Sequence, residues 1–179
     1  MLEESSPRKF GRAYGFDEVS IVPGSITINP EQTSTKLSIN GLTLSIPVLA
    51  SAMDPIGSPS FATLIGKLGG LGVMNLEGIQ TRYDDPGEAM ARIVNSPQEN
   101  VTALLQEVYA VPINEDLIGV RVEELKKGGV KCAVSVTPAN TKRLAPIAVE
   151  AGIDLLVVQS TVTTARHISK STRGLVFSE

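Results

Sequence analysis

Apolar and polar positions along the 179 residues change rhythm near Pro47. Before it, short β-branched runs are broken by Pro23, Gly24, Pro30 and the pair Asn40-Gly41, and helix signals are few. Leu37, Ile39, Leu42 and Leu44 flank Asn40-Gly41, which predicts a β-hairpin, because that dipeptide accepts the positive φ a two-residue turn imposes. Beyond Pro47, apolar runs of strand length alternate with helical spacing. IPVLASAM (46–53) is nearly all apolar, as a strand buried on both faces should be. LGVMN (71–75), KCAVSVT (131–137) and IDLLVVQS (153–160) repeat that texture.

Helices are predicted between these runs. Ser58-Pro59 supplies a cap and a proline for the first helical position, followed by Phe61, Leu64, Ile65 and Leu68 at helical spacing and a stop at Gly69-Gly70. Asp85-Pro86 and Ser96-Pro97 start two more. The second carries a capping box from Ser96 to Glu99 and an apolar stripe of Val101, Leu104, Leu105 and Val108. Further helices are expected from about Asn114 to Lys127, ahead of Gly128-Gly129, and from Pro138 to Ala151, ahead of Gly152. A last one begins near the end of the chain with Val162, Ala165 and Ile168 on one face. Strands alternating with helices imply parallel strands joined by right-handed crossovers. An open doubly wound sheet and a (β/α)8 barrel both satisfy the pattern; neither Gly-x-Gly-x-x-Gly after a strand nor a P-loop is present to support the open sheet.

Charge and composition narrow the chemistry. Lys plus Arg number 16 against 19 Asp plus Glu, a net charge of -3, so the basic excess that nucleic-acid backbones require is missing and no nucleic-acid partner is expected. No apolar stretch approaches the ~18 residues of a membrane span, and MLEESSPRKF has no apolar core like that of a signal peptide, so the expected location is cytoplasmic, with no membrane partner. One Cys and one His allow neither an internal disulfide nor a zinc cluster, and no metal site is expected. Cys132 lies within a strand run and reads as a small buried apolar residue. His167 reads as an ordinary surface or partly packed histidine, Asp84 and Asp85 as helix-capping residues before Pro86, and Lys126 and Lys127 as cations suited to a helix C-terminus.

In parallel α/β folds, chemistry collects at the C-terminal ends of strands. That rule selects Ser51 to Asp54, Asn75 to Glu77, Thr137 to Asn140 and Gln159 to Thr161. From the residues alone, these polar side chains serve either as a binding site or as caps for the helices that follow.

YGFDEVSIVPG (14–24), STKLSINGLTLSIPVLASAMD (34–54), GGLGVMN (69–75) and VEAGIDLLVVQSTVTT (149–164) resemble the IMP dehydrogenase and GMP reductase family. The resemblance covers most of the chain and is least specific over residues 80–128. It implies a TIM (β/α)8 barrel of the α/β class with only the first four strand-helix units present. Residues 1–179 would then be the N-terminal part of one barrel domain, without a regulatory tandem CBS module. It implies a purine-nucleotide oxidoreductase of GMP biosynthesis and purine metabolism, converting IMP to XMP with NAD+ or GMP to IMP with NADPH, and a homo-oligomer, the family's tetramer. It also implies that Ser51 and Met53 contact the purine nucleotide, and that Asn75, Gln159, Ser160 and Thr161 lie beside the NAD or NADP cofactor.

Three departures from the family pattern stand out. The loop Gly-x-Gly-x-x-x-x-Cys-Thr that carries the nucleophilic cysteine is absent, so no catalytic residue is assigned. Gln159 replaces the usual aspartate, and Asn75 and Leu76 replace the usual His and Lys. A (β/α)8 barrel needs ~250 residues, so a truncated chain without activity is expected. The alternative is a non-catalytic α/β nucleotide-binding module.

Overall fold

The protein, seen in a computed structural model, is described for residues 11–39 and 41–159. The chain divides into two compact units, residues 1–34 and 35–179. The described part of the first holds two single 3-10 turns, Phe16–Glu18 and Pro30–Gln32, and all its residues are exposed. Glu18 closes the first turn by accepting from the Gly15 N–H and pairing with Arg12 at 2.7 Å.

The second unit opens with the expected hairpin. Strands β1 (Leu37–Ile39) and β2 (Leu42–Leu44) pair antiparallel with Leu37 opposite Leu44, and Gly41 takes φ 85° in the turn. Four parallel strands follow, β3 (Leu49–Ala50), β4 (Leu71–Asn75), β5 (Ala133–Val136) and β6 (Leu155–Val158), adjacent in chain order. Their registers set Leu49 opposite Leu71, Val73 opposite Ala133 and Ala133 opposite Leu155. The strands are shorter than the apolar runs that predicted them, and β3 keeps only two residues of 46–53.

Alternation along the strands separates two apolar faces. Met74, Val134 and Val136 point to one, where helices α1 (Pro59–Lys67), α4 (Asp116–Lys127) and α5 (Thr141–Ala151) cover them with Ala62, Ile118, Val122, Leu125, Leu144 and Ala148. Leu71, Val73, Ala133 and Val157 point to the other, where Leu42 and Leu44 of the hairpin pack against them. The Gly69 carbonyl, just before β4, accepts from the Ser45 and Ile46 N–H groups, so the hairpin closes the N-terminal end of this inner face. The C-terminal ends of the strands lie beyond the hairpin.

Caps act largely as their residue types dictate. Ser58 Oγ accepts from the Phe61 N–H at 3.3 Å with Pro59 in the first turn of α1, and Asp85 accepts from the Gly87 and Glu88 N–H groups to start α2 (Pro86–Val94). Helix α3 (Val101–Ala110) departs from expectation. Ser96 Oγ turns to the Pro97 carbonyl instead of capping Glu99, residues 97–100 close a turn through the Asn100 N–H and the Pro97 carbonyl, and the helix begins a turn later. Pro138–Asn140 likewise forms a turn ahead of α5, which then tolerates Pro146 in its interior at the loss of one helical N–H. The expected helix at 162–168 lies outside the described residues.

Candidate functional site

Strands β3 and β6 are the outer strands of the four, yet residues at the ends of both line one cavity of about 460 Å³. In a flat sheet the outer two of four strands stand roughly 14 Å apart, at the usual ~4.8 Å spacing. Lining by both is in keeping with a sheet that curls toward its inner face. Ser51 and Gln159 supply the polar groups of this cavity, and Leu49, Ala52, Val73 and Val157 are among its apolar walls. Among the described residues its lining carries no charged side chain.

The other candidate residues sit around this mouth with partners of their own. Asn75 ends β4 and its Oδ1 accepts from the Glu77 N–H at 2.9 Å, so its amide N–H groups are the part left to address a ligand. Met53 is half exposed and lies outside the cavity lining; its carbonyl accepts from the Ile56 and Gly57 N–H groups, which folds residues 51–57 into a tight turn. Ser160, Thr161 and His167 lie outside the described residues.

Side chains outside the cavity lining hold the mouth loops in place. Glu77 reaches from the β4 loop to the β5 loop, accepting from the Thr137 N–H and from Asn140 Nδ2 at 2.6 Å. Arg121 is buried on α4, and its guanidinium donates to the carbonyls of Gln80, Tyr83 and Asp84 and to Glu124 Oε1 at 2.8 Å, a set that neutralises its charge and ties down the loop after β4. Arg82 donates to the Glu77 and Val111 carbonyls. Sequence spacing carries no signal for these links, because most of them join segments far apart in the chain.

Cys132 belongs to the outer-face core against α4 and α5, directly before β5 rather than inside it. Burial, with the Asp154 charge nearby, pushes its thiol up to about 11, the opposite of what a nucleophile needs. At pH 8 a thiol-specific chromogenic reagent is therefore expected to label the native chain far more slowly than the urea-unfolded chain. Equal rates would show that the thiol is accessible. Tyr109 is shifted upward too, by burial and then by the Asp54 carboxylate that accepts a hydrogen bond from its hydroxyl. A raised folded-state value means the neutral phenol's contribution is fully present below pH 10 and is lost as pH climbs through that raised value. Absorbance titration at 295 nm is expected to show one phenol ionising later than its ordinary range, and Tyr109→Phe should remove that late step.

The model of the IMP dehydrogenase / GMP reductase domain matches residues 13–175. The chain belongs to this family. An uncharacterised oxidoreductase of Mycobacterium leprae is 40% identical over 174 residues, covering 94% of this chain and 46% of its own length. A Mycobacterium tuberculosis oxidoreductase, also uncharacterised, is 38% identical with the same coverage. The crystal structure of an IMP dehydrogenase/GMP reductase-like protein from Corynebacterium glutamicum superposes with a TM-score of 0.80 at 34% identity, over 93% of this chain and 46% of that one. The chain thus spans about half the length of the relatives it matches. Its α/β fold with a parallel sheet is similar to these IMP dehydrogenase/GMP reductase-like proteins, and its family relationship is to oxidoreductases. Among the described residues no helix is long and apolar enough to cross a membrane.

Proposed function

We propose that residues 1–179 are the N-terminal part of one IMP dehydrogenase/GMP reductase-type barrel domain and contribute the first half of its ligand-binding mouth. The reaction class is purine-nucleotide oxidoreduction, IMP to XMP with NAD+ or GMP to IMP with NADPH, carried out in the cytoplasm by a homo-oligomer. The observation that carries this reading is the cavity shared by Ser51 and Gln159 from opposite edges of the parallel sheet.

The residues at this mouth fit a nicotinamide. Gln159 offers an amide that donates and accepts, Asn75 offers amide N–H donors, and Val73 and Val157 give an apolar surface for a ring face. When bound, the nicotinamide supplies hydride acceptance or donation. Ser51 hydrogen-bonds the purine nucleotide and Met53 flanks it, with Ser160 and Thr161 continuing the cofactor side. The amide of Gln159 addresses a ribose hydroxyl without the charge-assisted pairing a carboxylate gives, which weakens cofactor selection at this position.

The test is ligand-observed NMR on the 179-residue chain with IMP, GMP, NAD+ and NADPH as probes. Saturation transfer from the protein to one nucleotide and one cofactor is expected, reduced severalfold by Ser51→Val for the nucleotide and by Gln159→Leu for the cofactor. Transfer that neither substitution changes, or no transfer to any of the four, would remove the reading.

A further inference from the structure

Asp54 closes the Ser51–Asp54 segment, and its surroundings do not match a helix cap. Helix α1 is capped by Ser58, four residues later, so the Asp54 carboxylate is spent elsewhere. It is buried at 7% exposure, with Oδ1 accepting from the Ile79 N–H at 2.9 Å and Oδ2 accepting from the Tyr109 hydroxyl. Gly78 leaves the space for it: a Cβ there would stand 1.9 Å from Asp54 Oδ1. Ile79 lies in the loop after β4, and Tyr109 lies near the end of α3, in the α2–α3 pair that lengthens the β4–β5 connection. That pair packs through Ala89 and Val108 against Ile79, and the Tyr83 hydroxyl donates to the Val108 carbonyl at 3.0 Å. The Arg82 guanidinium lies over the Tyr109 ring, 5.8 Å from its centre.

From this geometry we infer that Tyr109 is a positioning residue for the candidate site. Through Asp54 it holds the 51–57 turn that presents Ser51 and Met53, so that the α2–α3 pair and the nucleotide-facing turn form one latched unit. The hydroxyl is the latch. Tyr109 is itself 39% exposed, and losing its hydroxyl leaves the inner and outer cores untouched. What it removes is one of two partners of a buried carboxylate, which then gains by swinging toward water and releasing the turn. The consequence for ligand binding rests on the site reading proposed above; the consequence for the turn does not.

The experiment compares the intact 179-residue chain with Tyr109→Phe by amide hydrogen exchange and by IMP titration. The reporting amides are Met53, Ile56 and Gly57, which donate to the Ser51 and Met53 carbonyls. A hydrogen bond to a charged group contributes enough that their exchange is expected to quicken about tenfold or more in Tyr109→Phe. Amides of α4 and β5 are expected to keep their rates, a separation that a general loss of stability would not produce. IMP affinity is expected to fall by a similar factor. Unchanged exchange at residues 53–57, or equal acceleration throughout the unit, overturns the latch whatever IMP does. Accelerated exchange with equal IMP affinity in both chains overturns the positioning role and leaves the site. IMP binding to neither chain overturns the site reading, while the exchange comparison still decides the latch.

Discussion

A polypeptide of these 179 residues is expected to give no change in absorbance at 340 nm with IMP plus NAD+ or with GMP plus NADPH, and Cys132→Ser is expected to leave that result unaltered. The family resemblance implies that both reactions use a cysteine thiolate on the purine ring, a far better nucleophile at pH 7 than a neutral side chain. Cys132 is the chain's single cysteine. Its side chain is fully buried in the core under α4 and α5, on the face of the sheet opposite the cavity that Ser51 and Gln159 share. Its thiol is held protonated by burial, so both position and ionisation are wrong for attack. The difference from an active enzyme is the whole catalysed rate, the largest effect predicted for this chain. Turnover abolished by Cys132→Ser would overturn the placement of that cysteine. Turnover insensitive to the substitution would place the chemistry outside the thiolate mechanism.

The parts of the fold legible in the sequence are those specified by local chemistry. Asn40-Gly41 fixes a hairpin turn, Ser58-Pro59 and Asp85-Pro86 fix helix starts, and the apolar runs at 71–75, 131–137 and 153–160 each contain a strand. Ser96 does not cap because residues 97–100 close a turn of their own, through the Asn100 N–H and the Pro97 carbonyl, and α3 begins only at Val101, a shift that residue type cannot foretell. At the site, the end-of-strand rule finds Ser51 and Gln159, which line one cavity, but it gives Asp54, Asn75 and Glu77 the same weight. The structure separates them by partner: Asp54 is held by Ile79 and Tyr109, and Glu77 bridges to Thr137 and Asn140. Those partners come from 25 to 63 residues away, and Tyr109 lies in the stretch where the family resemblance is least specific.

Glycine substitutions are expected to separate the close packing of this fold from its backbone preferences. The Gly-Gly-Leu-Gly run at 69–72 belongs to the segments that carry the family resemblance, and its structural reason lies in how closely neighbouring chain passes. Gly69 takes φ 95° at the end of α1, which an L side chain resists. A Cβ at Gly70 would stand 2.8 Å from the Val48 carbonyl oxygen. At Gly72, in β4 on the face that meets α1, it would stand 2.4 Å from both Cα and Cβ of Ala62. Ala62 is buried, and its Cα belongs to the helix backbone, so no side-chain rotation relieves the overlap. Gly72→Ala must push α1 outward and is expected to cost about 3 kcal/mol, toward the upper end for overpacking. That is a fall in Tm of roughly 6–12 °C for a chain of this size. Adding Ala62→Gly should restore only part, because the clash with the helix backbone at residue 62 remains. Gly119, within α4, is the control: a Cβ there meets nothing within 4 Å, so Gly119→Ala is expected to stabilise the chain by about 0.5–1 kcal/mol through helix propensity. Chemical denaturation of the two single variants decides the matter. Equal and small effects of the same sign would mean that α1 does not approach β4 as closely as described.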